Sequence, residues 1–185
     1  MKFCSQCGAK VISRIPSGDN RPRYVCESCG TIHYQNPVMV TGCIPEWQDR
    51  ILLCRRAIEP RSGLWTVPAG FLERGESVAE GAIRETWEEA RTRVDLLGLF
   101  AVLNLAHIGQ VYFLLRGRMR REEFASTPES SEVKLFPEED VPWDEIAFPV
   151  VRECLRLFFR DRQGGAFGVH MLDILPNGRP AKKDP

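Results

Sequence analysis

Residues 70–92 read GFLERGESVAEGAIRETWEEART, and the rest of the chain is organised around them. Glu85, Glu88 and Glu89 fall at i, i+3 and i+4, a spacing that gathers them on one flank of a helix. Carboxylates so close together repel one another and weaken an isolated helix. Two readings follow: a solvated acidic face, or a divalent-metal site in which the cation removes the repulsion. Ser77-Val-Ala-Glu80 is a capping box, so the helix begins there. Ala79, Ala82, Ile83, Trp87 and Ala90 recur with helical period and predict the buried stripe, well away from the carboxylates. Gly81, one turn before the carboxylates, is expected to leave room for a ligand. Arg84 lies between the two faces, where it can pair with a loop carboxylate and brace the turn.

Outward from this stretch, the chain reads as one domain with an appendage. Its 185 residues are long enough for a substantial core, and 43% hydrophobic with 27% charged residues describes a globular protein. The formal net charge of +0 makes the whole chain a poor electrostatic match for a polyanion. No apolar run approaches the roughly 20 residues that span a bilayer. The N-terminus lacks a long apolar segment, so a cytoplasmic location is expected.

Of the seven cysteines, Cys4/Cys7 and Cys26/Cys29 form two CxxC pairs, each followed by glycine. Gly8 and Gly30 free the backbone to turn toward sulfur, so two knuckles would present four thiolates, the tetrahedral set of structural Zn2+. A segment this short needs such a staple. Redox-active pairs are the rival reading. All four positions are filled by cysteine, which leaves no open coordination position for catalysis. Residues 1–35 are therefore expected to be a zinc ribbon and 36–185 the main domain. The ribbon is only mildly basic, so nucleic acid is not expected as its partner.

In the main domain, VMVTGCI and RILLCRR read as buried strands separated by PEWQD, with Cys43 and Cys54 as buried free thiols. Arg55 and Arg56 end the second strand, where either can reach a phosphate or simply meet solvent. Val94–Leu103, Val111–Met119 and Val133–Phe136 read as further strands, with Arg116 on a solvated edge. Phe148–Phe159 has a helical apolar pattern starting near Pro149 and covers the sheet. The segment from His170 onward is expected to hold a short extended piece and then fray. His33, His107 and His170 are isolated in sequence, and no Gly-x-Ser-x-Gly nucleophile motif is present.

The chemistry open to the acidic stretch is that of a hard cation. Mg2+ and Mn2+ prefer carboxylate and carbonyl oxygens, and a cation so held can bridge phosphate oxygens and activate water. At this point the stretch resembles the Nudix box, G-x5-E-x7-R-E-U-x-E-E-x-G-U with U apolar. Gly70, Glu76, Arg84, Glu85, Glu88 and Glu89 match in register. Thr86 departs from the apolar position, and Arg91 stands where the family has the glycine that ends the helix. A left-handed conformation at Arg91 costs on the order of 1 kcal/mol.

The resemblance implies an α+β protein, a Nudix α/β/α sandwich with a mixed sheet, preceded by the ribbon. It implies catalytic Mg2+ (or Mn2+) on Glu85 and Glu89, with Glu88 a further ligand or the residue acting on water. It adds a backbone carbonyl of Ala69 or Gly70 to the coordination sphere, and Arg84 as a brace. A further glutamate comes from ESSEVKLF, with Glu132 preferred over Glu129. A ribbon followed by this box is also the layout of NADH pyrophosphatases, but their SQPWPFP-type motif is absent. The segments HYQNP, NLAHIGQVYFLL and PESSEVKLFPEEDVP are similar instead to the branch that includes plant FAD/ADP-ribose pyrophosphatases. That implies cleavage of ADP-ribose or FAD at the diphosphate, releasing AMP, with His107 and Gln110 near the substrate. It also implies a homodimer. The alternatives are NADH cleavage or NAD-cap removal from RNA, and a nucleic-acid-binding ribbon attached to a metabolite-sensing domain.

Overall fold

The computed structural model describes residues 1–181. The chain divides into two compact units, Met1–Pro37 and a second beginning at Val38. In the first, β1 (Val11–Arg14), β2 (Arg23–Cys26) and β3 (Ile32–His33) form an antiparallel sheet in that order. Its most buried side chains centre on Cys4, Val25 and Cys26, a core too small to hold three short strands by burial alone.

The second unit is built on a mixed sheet. Its strands are β4 (Val38–Trp47), β5 (Arg50–Arg56), β6 (Trp65–Thr66), β7 (Ala69–Phe71), β8 (Val94–Leu105), β9 (Gln110–Met119), β10 (Ser130–Phe136) and β11 (His170–Asp173). They run in the order β10-β5-β4-β9-β8-β11, with β6 on β5 and β7 on β4. The β4/β9 and β8/β11 pairs are parallel and the others antiparallel. Among the described residues the α-helices are α1 (Val78–Ala90) and α2 (Pro149–Gly164).

The period of two along β5 divides the core between the sheet's faces. Ile51 and Leu53 join Phe100, Leu155 and Phe158 beneath α2. Leu52 and Cys54 join Cys43 and Ala90 beneath α1. The result is the α+β sandwich with a mixed sheet. Cys43, Cys54 and Cys154 are free, buried thiols, and burial pushes all three pKa values up.

Three expectations are corrected. First, the inward face of α1 is not the apolar stripe. Gly81, Ala82, Glu85, Thr86, Glu89 and Ala90 are buried, while Ile83 and Trp87 are 44% and 39% exposed. The helix sits so close to β4 that a Cβ on Gly81 would lie 2.6 Å from Thr41 Cγ2. Only small side chains fit there, so Gly81 serves close packing and leaves no space for a ligand. Thr86 is tolerated at a buried position because its hydroxyl donates to the Ala82 carbonyl at 2.6 Å.

Second, Arg116 is not a solvated edge residue. It donates to Glu46 at 2.8 and 3.2 Å, and its guanidinium lies over the Phe167 ring. Third, the segment from His170 holds the short extended piece expected of it but does not fray directly beyond it. It adds β11 to the sheet, and Ile174, just beyond it, is 3% exposed. Residues 182–185 lie outside the described residues.

The ends of α1 follow the local chemistry. Ser77 and Glu80 form the reciprocal capping box. Arg91 takes the left-handed conformation, φ 51° and ψ 28°, and its N–H donates to the Trp87 carbonyl at 3.0 Å. The strain is partly offset by its guanidinium, 5.6 Å from the Trp87 ring centroid. Replacing Arg91 with Gly is therefore expected to stabilise the fold by about 0.5 kcal/mol. That is about 1 kcal/mol of relieved strain less about 0.5 kcal/mol of lost cation–π contact. Urea unfolding of the two proteins measures the difference; a destabilised R91G protein would mean that the contact outweighs the strain.

Candidate active site

The loop between β7 and α1 is tied down by one guanidinium. Arg84 donates from Nε and Nη2 to the two oxygens of Glu76 at 3.0 and 2.7 Å. Its Nη1 reaches Glu85 at 2.7 Å and Glu88 at 3.0 Å, and its Nη2 also reaches the Phe71 carbonyl at 3.1 Å. Glu76 in turn accepts from the Glu73 N–H at 2.7 Å. The Arg84 fork and that amide hold the Glu76 carboxyl down at about 2. Arg84 thus pairs with a loop carboxylate, as its position in the sequence allowed.

The three box glutamates differ in their surroundings. Glu85 and Glu89 are buried, at 8% and 6% exposure, and Glu88 is exposed. One Glu89 oxygen accepts from the Ala69 N–H at 3.1 Å. Glu85 lies against Gly70 so tightly that a Cβ there would meet its carboxylate oxygen at 2.2 Å. Gly70 is needed for that approach, so any side chain would displace Glu85. Burial raises the pKa of both groups, that of Glu89 to about 8. The opposing contacts are Arg84 for Glu85 and the Ala69 N–H for Glu89, while the charge of Glu129 adds to the rise in each. The protein therefore gathers carboxylates without fully compensating their charge. An oxygen-seeking divalent cation fits that donor set.

These carboxylates open into a cleft of about 800 Å³. Of the other expected residues, Ala69, Gly70, Arg56, His107, Gln110 and Glu129 all line it. Arg55 and Glu132 are not among the lining residues. Successive residues of β5 point to opposite faces, and a bulge in β10 falls between Ser130 and Glu132. Glu132 is paired with Arg55 at 3.5 Å, and Arg55 also donates to the Gly63 carbonyl at 2.8 Å. Arg56 donates to the Pro60 carbonyl at 2.8 Å and lies 5.2 Å from the Phe148 ring centroid.

Tyr112, Phe148 and, from the segment after β11, Ile174, Leu175, Pro176 and Gly178 also line the cleft and are not among the residues expected from sequence. Tyr112 was legible in principle, since it follows Gln110 by two on β9 and shares its face. The others depend on long-range packing and carry no local signal.

In the first unit, the sulfur atoms of Cys4, Cys7, Cys26 and Cys29 lie within 4.8 Å of one another. Cys4–Cys29 and Cys7–Cys26 are 3.6 and 3.5 Å apart. A tetrahedral site with bonds of about 2.3 Å has edges of about 3.8 Å, so the four thiols fit a Zn2+ ion. The knuckles are closed by Gly8 and Gly30 N–H groups donating to the Cys4 and Cys26 carbonyls, both at 2.9 Å. His33, isolated in sequence, places Nε2 3.3 Å from Cys4 Sγ. Likewise His170 meets Asp161 at 2.6 Å.

A sandwich carrying a braced acidic helix and a four-cysteine ribbon defines the class, and comparisons with known proteins agree. The NUDIX domain model matches residues 36–158, and the zinc-ribbon model described as Nudix N-terminal matches residues 2–35. The chain belongs to the NUDIX family. A crystal structure of a NUDIX hydrolase from Nitrosomonas europaea is 51% identical, with a TM-score of 0.88. The match covers 94% of this chain and 99% of that one. Nudix hydrolase 19, chloroplastic, of Arabidopsis thaliana is 36% identical over 96 residues, 50% of this chain and 21% of the relative. The NAD-capped RNA hydrolase NudC of Vibrio parahaemolyticus is 32% identical over 102 residues, 54% of this chain and 36% of the relative. The matched stretch thus spans only a minor part of these two curated relatives.

The Glu76–Arg84 brace makes stability depend on acid. A carboxyl held at about 2, against an ordinary 4.5, stabilises the fold fully above its unfolded value and loses that contribution as pH falls toward 2. The melting-temperature difference between the native protein and Glu76→Gln is expected to be constant above about pH 5 and to shrink below it. A difference independent of pH across that range would show that the brace does not act through charge.

Proposed function

We propose that the chain is a metal-dependent pyrophosphatase. It hydrolyses the diphosphate bond of a nucleoside diphosphate derivative, prefers ADP-ribose or FAD, and releases AMP. The observation that carries this reading is the pair of buried carboxylates, Glu85 and Glu89, closed against Ala69–Gly70 at an 800 Å³ cleft. Membership of the NUDIX family supports it. In this reading residues 1–35 are a structural zinc ribbon and 36–185 the hydrolase domain. The enzyme is a cytoplasmic homodimer.

Glu85, Glu89 and a backbone carbonyl of Ala69 or Gly70 would hold Mg2+ or Mn2+, with Glu88 and Glu129 completing the acidic wall. Such a cation, when bound, neutralises diphosphate charge and makes a water molecule more acidic. The chain's own groups supply the rest. Arg84 keeps the glutamates in register. Arg56 offers a guanidinium to a phosphate oxygen. Exposed Glu88 is available to orient water or accept its proton. His107 and Gln110 offer polar contacts to the substrate.

A second reading, removal of an NAD cap from RNA, is supported by the similarity to the Vibrio NudC protein over about half of this chain. Incubation with Mg2+ and a panel of ADP-ribose, FAD, NADH and NAD-capped RNA separates the two. ADP-ribose or FAD is expected to turn over fastest; preference for NADH or capped RNA would favour the second reading. Silence on every member would sink both.

Glu89→Gln is expected to lower kcat/KM on the order of 100-fold or more, and Glu129→Gln by about 10- to 100-fold. Glu132→Gln is expected to stay near the native value. The reverse order for the last two would make Glu132 the additional ligand in place of Glu129. Elemental analysis is expected to find one zinc per chain, and Cys26→Ser to abolish it and lower the melting temperature while the Nudix domain stays folded.

A further inference from the structure

The cleft carries the carboxylates of Glu59, Glu73, Glu85, Glu88, Glu89 and Glu129, and its apolar lining is gathered from early strands (Val40, Phe71) as well as from later parts of the chain. One apolar contribution is the turn Ile174–Gly178, which follows β11 and lies beyond residues 36–158 matched by the family model. Resting on the reading of the cleft as a nucleotide-diphosphate site, we propose that this turn is a specificity wall. Its Leu175 and Pro176 side chains pack on the planar heterocycle of the substrate, away from the reacting diphosphate.

The turn is held as firmly as an element of the sheet. β11 pairs with β8 from His170 opposite Ala101 to Asp173 opposite Asn104. Asn104 Nδ2 donates to Asp173 Oδ1 at 2.9 Å, and the Ile174 N–H donates to the Asn104 carbonyl at 2.8 Å. His170 is clamped to Asp161 of α2 and lies edge-on to Phe100, with ring centroids 5.1 Å apart. The turn closes on itself, with Gly178 N–H donating to Leu175 O and Leu175 N–H to Arg179 O, both at 2.8 Å. Gly178 has φ 77° and sits so close to Pro149 that a Cβ would lie 2.6 Å from that ring. Only glycine meets both demands there.

Against this rigid backing, Leu175 remains 42% exposed at the cleft. With the backbone already held, covering this side chain with a ligand costs only its own rotamer freedom. Its chemistry suits a flat, weakly polar ring. It offers neither charge nor hydrogen bonds to a phosphate or sugar. Phe148 and Tyr112, which line the same cleft, add aromatic surface of the same character. The wall would therefore determine which heterocycle is accepted without touching the bond that breaks.

The test uses the full chain carrying Leu175→Asp or Gly178→Val, with Met171→Ser as control. Met171 is 74% exposed on β11 and does not line the cleft. Each protein is checked for native melting behaviour, then assayed for kcat and KM on ADP-ribose and FAD. AMP and FMN, as ring-bearing probes, are titrated by calorimetry without turnover. Leu175→Asp is expected to raise KM at least about fivefold with kcat little changed, and to weaken AMP or FMN binding by a similar factor. Gly178→Val is expected to act in the same direction, and Met171→Ser not at all.

Unchanged KM and unchanged binding in an active enzyme would overturn the wall and leave the proposed hydrolysis standing. Silent hydrolysis with probe binding that weakens in Leu175→Asp would overturn the hydrolysis and leave the wall. Equal losses of kcat and affinity, shared by Met171→Ser, would reduce the turn to a structural role. Failure of the native protein to bind either probe would overturn the wall directly.

Discussion

The arrangement of the site depends on one guanidinium. Arg84 offers a planar set of donors, and the structure uses them in three directions: to Glu76 across the loop, to Glu85 and Glu88 along the helix, and to the Phe71 carbonyl at the strand end. A lysine could neutralise the same charge but could not hold this geometry, because an ammonium lacks the planar fork. The repulsion expected among clustered glutamates is therefore managed partly by covalent geometry. The carboxylates are kept apart from one another and close to a single cation built into the chain. What Arg84 leaves only partly compensated is the buried pair nearest the Ala69–Gly70 backbone, a donor set that fits an oxygen-seeking cation.

The brace works only because the backbone around it comes close. Gly70 has no side chain where Glu85 must lie, and Gly81 has none where α1 meets Thr41 of β4. Thr41 fixes the start of the helix further, its hydroxyl donating to the Val78 carbonyl at 2.8 Å. Helix, strand and loop thus form one rigid block. Its acidic face is an inward face, since the sheet supplies a cleft where a solvated helix would have water. The same strand, β4, pairs with β7 at residues 40–42 and with β5 at residues 46–47. The central strand of the sheet therefore carries both the loop that ends in the glutamates and the strand that brings Arg56 to the cleft.

The cleft's far side is organised differently. It is assembled from segments distant in sequence, namely β9, the start of α2 and the turn after β11. They meet because α2 covers one face of the sheet and β11 extends its edge. Arg116 contributes from a distance by pairing with Glu46 and lying over Phe167, which joins the end of α2 to the strands. Most of the cleft's carboxylates thus sit in one short stretch, whereas this side of the cleft is gathered from many places.

Much of this was legible in the sequence, for definite physical reasons. The spacing of Glu85, Glu88 and Glu89, the capping box at Ser77 and the doubled CxxC-Gly are local patterns. Local patterns survive because a helix or knuckle imposes its own geometry on residues a few positions apart. The sequence by itself therefore determined the box and the thiol cluster and, through the family resemblance, the sandwich class. Only the tertiary structure decided which face of α1 points inward. The apolar residues Ile83 and Trp87 lost that position to small residues, because the helix lies too near β4 for large ones. That Glu129 lines the cleft and Glu132 does not was likewise tertiary, accompanying a bulge in β10 and the alternation of β5. The turn at Ile174–Gly178 came last, because a strand added at the sheet's edge is held by a partner some seventy residues earlier in the chain, Ala101–Asn104. No neighbouring residue announces that contact.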